Sequence, residues 1–210
     1  MSNIQGYSDQ NKIIYVGIPR TGSQMFSQLM QAGGMHGINS GNKCISDFHD
    51  ELGHDIVKEC TIVSSVRNPY DRIHSVWAYA FAPRIDFKNY MGMLEANENA
   101  IMEMASYEFL SANNLAKNGF PSLGFIPMVD YMKHPKYTVD IILSVDDMRH
   151  SLGLLSSLLG RDVKLPPKIN SSRRFSPSAD EAREISRYVE IINRMYEKDF
   201  AEFGYRQIEP

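Results

Sequence analysis

The sequence predicts a three-layer α/β fold with a mainly parallel central sheet flanked by helices. Three observations predict it. Short β-branched apolar runs recur along the chain, a helical apolar pattern follows each one, and Gly, Pro, Asn or Asp marks the junctions.

The elements follow in order. Residues 1–10 are polar and read as a loose arm. Lys12 to Ile18 (KIIYVGI) is a buried-strand run closed by Pro19. Met25, Phe26, Leu29 and Met30 then recur at helical spacing until Gly33-Gly34. Asp47 to Lys58 reads as a short helix, and Cys60 to Val66 (CTIVSSV) as a second strand. Asn68 can cap a helix with Pro69 at its first position, where the missing amide is no loss. Ile73, Val76, Trp77 and Ala80 carry that helix to about Pro83.

Residues 83–136 pattern poorly, apart from a helix expected from about Asn97 to Ala116, and read as an insertion on the acceptor side. Val139 to Ser144 is a third strand. Asp146 or Asp147 caps the helix that carries Leu152, Leu154, Leu155, Leu158 and Leu159. Ser178 and Glu181 form a capping box for one long final helix, with Ile185, Val189, Ile192, Met195 and Tyr196 inward.

The chain has 210 residues, enough to bury roughly 70% of its unfolded surface around one core, so a single domain over 1–210 is expected. Net charge is −3, which leaves no broad basic field for nucleic acid; an anion site must be local. Cys44 and Cys60 cannot make a disulfide framework, and no CxxC pair suggests zinc or redox work. With no secretory leader or bilayer-length apolar run, a cytoplasmic protein with no membrane partner is expected. Oligomeric state is not legible.

Two motifs carry chemistry. In GIPRTGSQ, Gly17 and Gly22 keep the separation of the Walker glycines, but Ser23 stands where lysine is expected, and the cation is Arg20 inside the loop. A turn between a strand and a helix start exposes unpaired amides toward an anion, and Arg20 adds a bidentate donor. A strand–turn–helix also occurs as a plain connection. In VRNPYDRIHSVW, Arg67 ends the second strand, at the carboxyl edge where ligands of open α/β sheets gather. Ser75 follows eight residues later, four after Asp71, and can face the same crevice. The alternative is an arginine that only binds carbonyls at a strand end.

Taken together, P-R-T-G-S and R-N-P-x-D-R-x-x-S resemble the cofactor signature of the sulfotransferases that use 3′-phosphoadenosine 5′-phosphosulfate. The group most similar contains the carbohydrate sulfotransferases and their small bacterial relatives. LPPKINSS and MYEKDFAEFGY resemble that group's later motifs, and the resemblance spans most of the chain except about 83–136.

The resemblance implies a P-loop-like fold and metal-free sulfuryl transfer to a small-molecule or glycan acceptor. Arg20, Thr21, Gly22, Ser23 and Gln24 would hold the 5′-phosphosulfate, and Arg67 with Ser75 the 3′-phosphate. Asn170 to Arg174 would fold over the nucleotide, with Arg173 or Arg174 as a further cation. Gln24 departs from the hydroxyl residue usual in that group. Arg20 would also stabilise charge on the bridging oxygen as the S–O bond breaks.

For the general base, the segment between the two motifs offers His49, with His54 and Glu51 as competitors and His36 more distant. His74 neighbours Ser75 and should point away from it. Phe81, Phe87, Tyr90, Phe120 and Phe125 either read the acceptor or belong to the core. The alternatives to a sulfotransferase are a P-loop nucleotide kinase or NTPase, opposed by the missing lysine, and a nucleotide-binding module without catalysis.

Overall fold

The computed structural model describes residues 4–39, 41–104, 124–165 and 177–209. It is an α/β structure whose contacts divide it into two compact units, Met1–Arg67 with Tyr131–Asn170 and Asn68–Asp130 with Ser171–Pro210.

The first unit holds the sheet. Strands β1 (Tyr7–Ser8), β2 (Ile13–Val16), β3 (Thr61–Val66) and β4 (Ile141–Ser144) lie in that order among the described residues. β2, β3 and β4 are parallel, with Val16 opposite Ser64 and Val66 opposite Ser144; β1 is antiparallel to β2. The stretch read as a loose arm therefore supplies an edge strand. Every residue of β2 is buried, as are Ile62 to Val66 of β3, so both strands are covered on both faces. On one face Ile13, Tyr15, Val63 and Leu143 pack with Phe26, Leu29 and Met30 of helix α1 (Ser23–Ala32). Leu155 joins them from a later helix over Met148–Leu159, and Asp147 caps that helix by accepting from the His150 amide.

The helix expected over 47–58 is two: α2 (Ile45–Leu52) and α3 (His54–Val57). Gly53 separates them at φ 81°, a backbone state that glycine adopts without a Cβ clash.

The second unit is helical. Asn68 caps α4 (Pro69–Ala80) by accepting from the Tyr70 amide, as expected. α5 (Phe87–Ala96) is capped by Asp86, and α6 (Glu98–Met104) follows; the continuation expected to Ala116 lies outside the described residues. A short α7 (Met128–Met132) crosses the unit boundary, and Met148–Leu159 of the first unit is α8. The expected long final helix is three: α9 (Ala179–Arg187), α10 (Val189–Met195) and α11 (Glu197–Phe203). The breaks fall at Tyr188 and Tyr196, both buried, with ψ near 20°. Their rings join a core of Tyr70, Phe87, Tyr90, Ile192 and Phe200. Phe87 and Tyr90 are thus core residues, with Phe81 and Phe125 packed against them; Phe120 lies outside the described residues.

Candidate functional site

In the first unit, the turn Pro19–Gly22 and Arg67 both stand where parallel strands finish, the turn after β2 and Arg67 after the adjacent β3. The turn is tight. Arg20 has φ 68° and Gly22 φ 77°, two left-handed residues flanking Thr21. A side chain on Gly22 would meet Val145 Cγ1 at 2.4 Å, just past the end of β4, so position 22 admits only glycine without rearrangement.

Gly22 is the N-cap of α1 and its carbonyl accepts the first helical bond, from Phe26 N at 3.0 Å. No side-chain cap closes the helix, and the amides of Ser23, Gln24 and Met25 have no partner within it. Amides at such a terminus and a guanidinium inside the preceding turn suit an anion. Ser23 is buried at the first helical position. Gln24 is exposed and lines a groove of about 340 Å³ with Gln5, Ser27, Gln28, Gln31 and Asn39, all uncharged.

Thr21 faces inward. Its hydroxyl is fully buried, donates to Ile18 O at 2.9 Å and lies 2.8 Å from Ser65 Oγ, which lies 2.9 Å from Tyr15 OH. The Thr21 hydroxyl is thereby engaged with the sheet. Burial raises the Tyr15 pKa well above the usual phenol range and keeps it protonated.

The histidines gather elsewhere. The His49 ring lies 5.2 Å from His134 and 5.9 Å from Tyr137, and its Nδ1 is 3.4 Å from Asp50. His54 Nδ1 and Tyr137 OH share a hydrogen bond of 2.5 Å, while His134 stacks on Tyr137. Tyr137 precedes β4 and His54 precedes β3, so this cluster sits where those strands begin, whereas Arg20 follows the end of β2. Among the described residues, the ring contacts of His49 are with His134 and Tyr137. Glu51 is tied to Lys43, and His36 is exposed. Burial, and then the neighbouring His49 charge, lowers the His134 pKa. Burial pushes the Cys44 thiol up to about 11, which leaves no thiolate for nucleophilic work there. Among the described residues no group of three His, Cys, Asp or Glu could hold a metal ion, and no helix is long and apolar enough to cross a membrane.

Ser75 belongs to the second unit, fully buried in α4. Arg173, like Asn170 to Arg174 as a whole, lies outside the described residues. Three further motif residues, Arg72, Asp199 and Tyr196, are held by contacts within the second unit. Arg72 is fully buried, donates to Ile126 O at 2.9 Å and lies 3.8 Å from Asp199, which accepts from the Met128 and Val129 amides at 2.9 Å. Burial raises the Asp199 pKa, opposed by the Arg72 charge and those two amides. Tyr196 OH donates to Gly124 O, so MYEKDF serves the fold of this unit. His74, nine-tenths buried or more, lies 3.3 Å from Glu181.

Tyr15 and Ser65 escaped the sequence reading. The signal available was the pair of serines inside the apolar run CTIVSSV.

Compared with protein-family models, curated proteins and solved structures, the chain matches none.

Proposed function

We propose that this chain is a sulfotransferase that takes its sulfuryl group from 3′-phosphoadenosine 5′-phosphosulfate, with the Pro19–Gln24 turn as the donor site. The observation that carries the reading is a convergence at one sheet edge: a left-handed Arg20, an uncapped α1 terminus and, on the adjacent parallel strand, Arg67. These residues fit a ligand with separated anionic groups, since each supplies a donor and none an acidic side chain. The finer fold reading, a three-layer P-loop-like arrangement, belongs to the same proposal and draws on the burial of β2 and β3 on both faces.

The donor supplies an activated sulfuryl group to an acceptor hydroxyl or amine. The amides of Ser23 and Gln24 hold the 5′-phosphosulfate, and the Arg20 guanidinium offsets the charge that grows on the bridging oxygen. Arg67 meets the 3′-phosphate. The uncharged groove beside Gln24 suits a hydroxyl-bearing acceptor such as a sugar. Proton removal is not assigned to His49, whose ring neighbours stand where β3 and β4 begin.

Calorimetry with adenosine 3′,5′-bisphosphate tests the donor site, with ATP plus magnesium as the rival ligand. Wild-type protein should bind the bisphosphate, and Arg67→Ala should lose detectable binding. Equal affinity in the variant would remove Arg67 from the site; binding of ATP-magnesium alone would favour a kinase.

A further inference from the structure

The three hydroxyls beneath the turn have a direction. Each carries one proton, and that of Thr21 goes to Ile18 O. Ser65 must then donate to Thr21, and Tyr15 to Ser65, so the chain runs from phenol to carbonyl with every proton placed. All three side chains are fully buried. Nothing in strand packing calls for hydroxyls here. A buried parallel strand favours a continuous apolar run, and Ser65 interrupts one on the face shared with Val63.

What the relay grips is Thr21, the residue between the two left-handed positions of the turn. A left-handed arginine is unfavourable by itself and persists only where its surroundings over-determine it. Covalent attachment to a pinned Thr21, itself joined to Gly22, which has no room for a Cβ beside Val145, supplies that constraint.

We propose that Tyr15 and Ser65 are positioning residues of the anion-binding turn. They hold Thr21, and through it the Arg20 backbone and the first turn of α1, in the ligand-ready arrangement without touching the ligand. The value of that arrangement for donor binding rests on the sulfotransferase reading; the positioning itself does not.

The Phe26 amide, bonded to Gly22 O, reports the junction between turn and helix. Its hydrogen exchange is measured by NMR in wild type, Tyr15→Phe, Ser65→Ala and the double variant, with the β3 amides as reference. Ser65→Ala should speed exchange at Phe26 about tenfold, a typical hydrogen-bond loss, while β3 is unchanged. Tyr15→Phe leaves the Ser65–Thr21 bond and should have a smaller effect. The double variant removes the phenol stranded by Ser65→Ala, so its melting temperature should recover while Phe26 exchange stays fast. A merely structural pair would recover both.

Unchanged exchange at Phe26, or an equal rise across β3, overturns the inference. Should Ser65→Ala fail to fold, Tyr15→Phe and Ser65→Thr decide it on the same amide. Adenosine 3′,5′-bisphosphate is titrated into each protein in parallel. Wild-type failure to bind defeats the donor reading alone, because the exchange data still decide the positioning role.

Discussion

Both units bury polar side chains completely, but of opposite kinds. Beneath the turn of the first unit lie three neutral hydroxyls, Tyr15, Ser65 and Thr21. Within the second lie ionisable groups: Arg72 with Asp199, both fully buried, and a buried His74 beside the partly exposed Glu181. A hydroxyl chain that ends on a carbonyl satisfies every proton at modest desolvation cost, so it can shape a ligand loop without adding a field to it. A buried ion pair is different. It contributes little net stability but makes the loss of either partner severe, which suits joining helices far apart in sequence. The contrast teaches that the residues of one apparent signature divide by role: Arg67 stands at the candidate site and Arg72 holds the fold.

The largest expected effect would break this contrast if absent. Arg72→Ala leaves Asp199 buried without its cation and should lower stability by about 3–5 kcal/mol in urea denaturation. Replacing both by apolar residues of similar volume should recover most of that. A loss under about 1 kcal/mol for the single variant would show that the pair is not structural.

Next comes Gly22→Ala in the first unit. It combines a left-handed backbone with a 2.4 Å approach to Val145 and should cost about 2 kcal/mol by thermal unfolding. Tolerance of alanine would mean the turn relaxes easily, and the relay would then have little to hold.

The smallest effect concerns the histidine cluster. The His134 pKa is lowered in the folded chain, by burial and then by His49, so the unfolded chain binds more protons as pH falls. Its contribution is fully present above the unfolded value near 6.5 and is lost as pH drops through the folded one. His134→Gln should therefore flatten the fall in melting temperature between about pH 8 and pH 5. An unchanged slope would show that the cluster does not titrate with unfolding.

Local patterns carried much of this. β2, β3 and β4, the Asn68 and Ser178 caps and the turn at Arg20 were legible because each is written in a few consecutive residues. α5 was not identified, although Asp86 precedes Phe87, Tyr90, Met91 and Leu94 at helical spacing. The breaks at Tyr188 and Tyr196 were not legible, because an uninterrupted apolar stripe says nothing of where a buried aromatic ring must turn.

By itself, then, the sequence determined the α/β class, the position of the strand–turn–helix and the cations available to it. Only the tertiary structure decided which way Thr21 faces, that Tyr15 and Ser65 lie beneath it, that Arg72 meets Asp199, and that His49 joins His134. The physical reason is one of range. Strand runs, caps and turns are set by neighbours along the chain, whereas a buried hydroxyl or charge takes whatever partner the packed elements bring within 3 to 4 Å.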